Sequence, residues 1–239
     1  METLITNTHT PSDRDIILDV DQPACPTCAV AAFRLWVPAG QGDGRGVLVL
    51  VPGSNGDGRA MVVDPFWQDY ARRQQLALVG CYFKDHPHAN MNIEEYCQAG
   101  AGSGIALLAA LQQFADRSQH TELATGPLLL WGHSAGGQFN YEFACWQPKR
   151  VLAFVVNKGG YYYTKLAPIA TRQVPGIFFI GANDAEFRIA SIRGIIAVNQ
   201  SAGAMWELAV EPNTGHEVGQ TRELAVRFFD KVISARSAQ

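Results

Sequence analysis

Apolar and polar positions change period several times along the chain, and each change marks an element. Asp15 to Asp21 and Ala31 to Val37 have strand character with no helical stretch between them, which predicts an antiparallel pair. Val47 to Val51 is an unbroken apolar run closed by Pro52-Gly53, the pattern of a strand covered on both faces. Further strands are predicted at Leu76 to Phe83, Pro127 to Trp131, Val151 to Val156, Gly176 to Ile180 and Met205 to Val210. Helical patterning falls near Pro65 to Gln75, Tyr96 to Ala115, Gly137 to Trp146 and Ala185 to Asn199. A closing amphipathic helix carries Leu224, Ala225, Phe228, Phe229, Val232 and Ile233 on one side.

Strands alternating with helices predict an α/β chain: a mostly parallel eight-stranded sheet led by an antiparallel pair, with helices on both faces. No linker or composition shift divides the 239 residues, so one domain spanning 1–239 is expected. In such sheets ligands bind beyond the carboxyl ends of the strands, which directs attention to the loops there.

Composition narrows the function classes. A net charge of -3 without a basic cluster gives no reason to expect nucleic acid, and no apolar span is long enough for a membrane helix. The polar stretch Met1 to Asp15 lacks the apolar run of a leader, so a cytoplasmic protein is expected, or an exported one if a leader has been removed. The five cysteines, an odd count, fit reduced thiols better than a disulfide framework. Cys25-Pro-Thr-Cys28 reads as a turn with two thiols; in an exported protein Cys25 with Cys28 and Cys81 with Cys97 become the pairs to consider.

The chemistry concentrates at Gly132-His133-Ser134-Ala135-Gly136, between a predicted strand and a predicted helix. That is the form of a nucleophile elbow, in which flanking glycines admit a sharp turn and present the serine hydroxyl. A serine needs a base, and histidine suits the task because it titrates near neutral pH. His216, in the loop Pro212 to Glu217 after the last strand, is the residue expected to serve. His9, His86, His88 and His120 lie in polar stretches and read as solvated, and His133 reads as packing. The carboxylate that orients the base is expected to be Asp184, beyond the strand Gly176 to Ile180, although an Asp there also suits a helix cap. Glu186 and Glu211 are the alternatives. Oxyanion donors are expected from the amides of Ala135 and Ser54, the latter in the loop Pro52 to Gly56. Asn55 and the run Tyr161-Tyr162-Tyr163 are possible substrate contacts, with Trp67, Tyr82 and Phe83 as further apolar wall. Gly100-Ala-Gly102-Ser-Gly104 lacks the preceding strand and the acidic partner of a dinucleotide site, so its expected role is to let a helix pack closely against the sheet.

The order Ser134, Asp184, His216, with the Ser54 loop upstream, resembles the α/β-hydrolase superfamily over nearly the whole chain. Within that superfamily the chain looks like the compact esterases with little or no cap, in the neighbourhood of the dienelactone-hydrolase-like, feruloyl-esterase-like and polyhydroxybutyrate-depolymerase-like proteins. Pro52-Gly53 stands where many relatives have His-Gly, which makes Ser54 the matching oxyanion residue. The resemblance implies a serine hydrolase that cleaves carboxylic esters through an acyl-enzyme, with no metal and no cofactor. Its substrate would be a small-molecule or exposed polymer ester, with neither nucleic acid nor membrane as partner; the oligomeric state stays open. An amidase or peptidase, an acyltransferase, or a catalytically silent fold used for binding are the alternatives.

Overall fold

The computed structural model describes residues 12–89 and 93–237. Its strands are β1 (Ile16–Gln22), β2 (Val30–Val37), β3 (Gly46–Val51), β4 (Leu76–Lys84), β5 (Leu128–His133), β6 (Val151–Asn157), β7 (Gly176–Gly181) and β8 (Glu207–Glu211). The helices are α1 (Pro65–Gln74), α2 (Ser103–Ser118), the single turn α3 (Glu122–Thr125), α4 (Ala135–Trp146), the single turn α5 (Ile169–Arg172), α6 (Glu186–Ser201) and α7 (Thr221–Ser237). One eight-stranded sheet has the order β1-β2-β4-β3-β5-β6-β7-β8. β1, β2 and β4 pair antiparallel, and the strands from β4 onward in that order pair parallel.

Period-two alternation sorts the apolar side chains of the buried strands onto two faces. Val47, Val49 and Val51 of β3, Leu128 and Leu130 of β5, and Phe178 and Ile180 of β7 face a core shared with α2, α4 and α6, where Phe114, Phe139 and Ile192 pack. Their neighbours Leu48, Leu50, Leu129, Trp131, Ile177 and Phe179 face the opposite core with Trp67 and Tyr70 of α1 and Phe228 and Phe229 of α7. Both faces are therefore dry, which is why β3 and β7 read as continuous apolar runs. Trp67 and Phe83, considered above as pocket wall, are instead core: Trp67 packs against Trp131 with ring centroids 5.2 Å apart, and Phe83 against Phe139 at 4.9 Å.

The winding direction reverses at β3, which has β4 on one side and β5 on the other. That reversal opens a crevice at the carboxyl ends of β3 and β5, the usual ligand position in such a sheet. The expected helix from Tyr96 begins later than its pattern implied. Two short 3-10 turns at Glu95–Cys97 and Ala99–Ala101 precede α2. The glycines explain the delay and the packing together. A side chain on Gly104 or Gly100 would collide with Trp146 at the end of α4, and one on Gly102 with Cys25. The stripe thus packs against α4 and the Cys25 turn rather than against the sheet. The connection from β6 to β7, residues 158–175, contains no helix beyond the single turn α5, so no helical cap is inserted there.

Candidate active site

Ser134 stands alone between β5 and α4 with φ 54° and ψ -121°, a conformation that L-residues rarely adopt. Such strain costs on the order of 1–3 kcal/mol and persists only where the surroundings enforce it. Here they do. The Ser134 amide donates to the Asn157 carbonyl at 2.7 Å, at the end of the neighbouring strand. A Cβ on Gly136 would lie 2.1 Å from the Val51 oxygen, and one on Gly132 would lie 2.3 Å from the Gly136 oxygen. The glycines let three backbone segments meet beneath the serine.

His216 and Asp184 reach the same place from the ends of β8 and β7. His216 Nε2 lies 2.9 Å from Ser134 Oγ, and His216 Nδ1 lies 3.0 Å from Asp184 Oδ2. The Asp184 side chain is only 3% exposed, whereas His216 retains 36%, so the carboxylate lies inside and the imidazole at the mouth. Burial opposes ionisation of Asp184, but hydrogen bonds from His216 and the Ala185 amide, with the charges of His216 and Arg188, outweigh it and hold the carboxyl below its ordinary range. An ionised carboxylate can only accept, so Nδ1 carries the proton and Nε2 is free to accept from the serine. Ala185 rather than Asp184 is the capping residue of α6. Of the alternative acids, Glu186 is exposed on α6, and Glu211 is paired with Lys158 at 2.5 Å. Arg188, one turn beyond Asp184, donates from Nε to Asp184 Oδ1 at 3.2 Å; its spacing from Asp184 was the available sequence signal.

The loop after β3 passes directly against the elbow: a Cβ on Gly53 would lie 3.6 Å from Ser134 Cβ. Among the described residues neither the Ser54 amide nor the Ala135 amide has an acceptor, and Ala135 opens α4, where a first-turn N–H has no partner within the helix. Asn55 has φ 53° and works within the loops. Its Oδ1 accepts from the Asp85 amide at 2.8 Å, its Nδ2 meets Ser54 Oγ at 3.2 Å, and its amide donates to Tyr96 Oη at 3.3 Å. Both ends of its side chain are thus spent on holding the Ser54 loop.

The three tyrosines separate. Tyr162 is 2% exposed and packs edge-on to Tyr141 at 5.2 Å, so it belongs to the core and not to a pocket wall. Tyr161 is 36% exposed and meets Tyr163 edge-on at 5.1 Å. Two polar residues of α4 that the apolar pattern hid fix this connection. Gln138 Oε1 accepts from the Gly160 and Tyr161 amides at 2.8 and 3.0 Å, and Glu142 Oε1 accepts from the Tyr163 and Thr164 amides at 2.7 and 2.9 Å. Their spacing of four places both on one side of the elbow helix.

Three other expectations are corrected. Cys25 and Cys28 form a disulfide rather than two free thiols, while Cys81 and Cys97 are buried thiols outside any disulfide. His120 is not solvated; it is 1% exposed and pairs with Glu122 at 2.9 Å. His86 meets the Cys25 carbonyl at 2.9 Å and His88 lies 3.5 Å from Asp85. His9 lies outside the described residues. Among the described residues no group of His, Cys, Asp and Glu could hold a metal ion, and no helix is long and apolar enough to cross a membrane.

Compared by sequence, the chain matches no family model and no curated protein. Compared by structure, it is similar to a poly(3-hydroxybutyrate) depolymerase from Bordetella parapertussis, with 19% identity, TM-score 0.64 and 91% of this chain and 89% of that one covered. It is similar to a ferulic acid esterase, with 12% identity, TM-score 0.65 and coverage of 92% and 99%. It is also similar to poly(aspartic acid) hydrolase-1 from Sphingomonas sp. KT-1, with 15% identity, TM-score 0.61 and coverage of 92% and 98%. With the sheet order, the antiparallel leading pair and helices on both faces, these likenesses establish that the chain has the α/β-hydrolase fold.

Proposed function

We propose that the protein is a serine hydrolase of carboxylic esters, with Ser134 as nucleophile, His216 as base and then acid, and Asp184 as orienter. The observation that carries the reading is the continuous relay from Ser134 Oγ through His216 to Asp184, with contacts of 2.9 and 3.0 Å. As Ser134 Oγ attacks the ester carbonyl, His216 Nε2 takes the hydroxyl proton, and the buried Asp184 carboxylate stabilises the imidazolium. The oxyanion accepts hydrogen bonds from the Ser54 and Ala135 amides. Collapse expels the alcohol with the proton from His216 and leaves an acyl-enzyme. Water, deprotonated by His216, then attacks the acyl group, and the acid leaves as Ser134 recovers its proton. No step calls for a metal or an organic cofactor.

Without a helical cap between β6 and β7, the reading favours small or exposed esters, including chain segments of a polymer, over long-chain lipids. Resemblance to a depolymerase and to a ferulic acid esterase supports that substrate class. Amide cleavage is the second reading, favoured by the likeness to a poly(aspartic acid) hydrolase, because the same groups would serve it. The Cys25–Cys28 bridge favours an oxidising compartment over the cytoplasm expected above. The test is turnover of p-nitrophenyl acetate and butyrate against matched anilides by the wild type and Ser134→Ala. Ester turnover that vanishes in the variant supports the reading, preferential anilide turnover moves it to an amidase, and no turnover of either by folded protein overturns it.

A further inference from the structure

The loop that carries His216, residues 212–220, presents three consecutive main-chain carbonyls to donors at the strand ends. The His216 carbonyl accepts from His133 Nε2 at 2.6 Å, and the Glu217 carbonyl from Lys158 Nζ at 2.7 Å. The Val218 carbonyl accepts from Asn157 Nδ2 at 3.3 Å, with Lys158 Nζ at 3.5 Å. All three donors stand at the carboxyl ends of β5 and β6, beside the elbow. Lys158 is the unusual member. Its side chain is 0% exposed, and its backbone has φ 58°, a left-handed conformation that favours glycine. Its charge is balanced by Glu211 Oε2 at 2.5 Å, and Glu211 Oε1 accepts from the Gln220 amide at 2.8 Å. One buried ion pair thus grips the loop at Glu217 and again at Gln220.

Fully buried lysines are rare, and replacing a buried ion pair with apolar residues is often neutral or stabilising. Stability alone is therefore a weak reason for this pair, whereas its contacts share one feature. The three acceptors of the Lys158 ammonium are the Glu211 carboxylate and two carbonyls of the histidine loop, which fill its three N–H groups. We propose that Lys158 is a positioning residue for His216: by holding the main chain one and two residues beyond the imidazole, it sets the approach of Nε2 to Ser134 Oγ. The inference rests on the hydrolase reading given above. Lys158 acts through the backbone and touches neither Ser134 nor the imidazole ring in these contacts.

The experiment compares the wild type with Lys158→Met/Glu211→Gln, which removes both charges together and so avoids stranding either one. The readouts are thermal midpoint, kcat and KM for a short acyl ester, and the rate of Ser134 labelling by a fluorophosphonate. The double variant is expected to melt within a few degrees of the wild type. Its kcat and labelling rate are expected to fall about 10- to 100-fold with KM within about twofold, the size of effect a small misplacement of a reacting group produces. Lys158→Gln/Glu211→Gln, which keeps a neutral donor toward the Glu217 carbonyl, is expected to recover part of the lost kcat. A folded double variant with wild-type kcat and labelling rate overturns the inference, as does failure of both double variants to fold, which makes the pair a purely structural element. A wild type that neither labels nor turns over ester overturns the hydrolase reading itself, and the inference falls with it.

Discussion

The imidazole of His133 donates from Nε2 to the main-chain carbonyl of His216 at 2.6 Å. The residue beside Ser134 therefore grips the backbone of the residue whose imidazole faces Ser134, and the elbow and the histidine loop are registered against each other. Burial disfavours the charged form of His133, and the nearby positive charges of His216 and Lys158 add to it. These outweigh the carbonyl contact and the Asp184 charge, so His133 titrates below its ordinary value.

That shift has a sign in the pH dependence of stability. With its folded value below its unfolded one, His133 contributes stability that is fully present above the unfolded value of about 6.5 and is lost as pH falls through the folded value. The melting temperature should fall as pH drops below about 6.5, and the fall should be shallower in His133→Gln, which keeps a donor but does not titrate. Parallel melting curves for the two proteins across that range contradict the assignment.

Gly136 makes the most demanding contact of the elbow, with a Cβ placed 2.1 Å from the Val51 oxygen and 2.5 Å from the Pro52 oxygen. Both neighbours are backbone and cannot swing away. Gly136→Ala should destabilise the fold by about 3 kcal/mol or more, measured by urea unfolding, because relief requires β3 to move away from α4. A loss under about 1 kcal/mol would show that the elbow relaxes freely.

Asp184→Asn tests the tautomer. An asparagine amide can donate toward His216 Nδ1, which would transfer the ring proton to Nε2 and leave no acceptor for the serine. Turnover should fall about 10³- to 10⁴-fold while the protein stays folded. Equal activity in the variant would mean that the carboxylate serves only the Ala185 amide and Arg188.

Much of this arrangement is legible in the chain because two periodicities and one short motif carry it. The apolar runs Val47 to Val51 and Gly176 to Ile180 can only be strands covered on both faces, and strand-helix alternation then orders the sheet. What stays hidden are polar residues inside apolar patterns. Gln138 and Glu142 lie on a helix whose buried apolar positions read as core, and nothing in their spacing says that they bind the backbone of the tyrosine connection. Lys158 follows β6 and reads as an ordinary surface lysine until Glu211, distant in sequence, is seen beside it. Tyr161, Tyr162 and Tyr163 are identical by residue type, and only the packing of Tyr141 and Phe178 draws Tyr162 into the core. The cysteine count pointed to reduced thiols because a count cannot see that the Cys25 and Cys28 backbones form a mutual bridge that brings their sulfurs together.

The Cys25–Cys28 bridge closes a very short loop, so its entropic contribution is modest, about 2 kcal/mol. Alkylation with and without reductant, read by intact mass, should show two thiols that become available only after reduction and that map to Cys25 and Cys28. Alkylation of both residues in the unreduced, unfolded protein would remove the bridge from the account.

Whether Ser134 is an activated nucleophile is read most directly by fluorophosphonate labelling with intact mass and peptide mapping. An activated Ser134 gives a single adduct at that residue, absent in Ser134→Ala and formed far more slowly in His216→Ala. Folded wild-type protein that takes up no label, or labels equally well without His216, would contradict it.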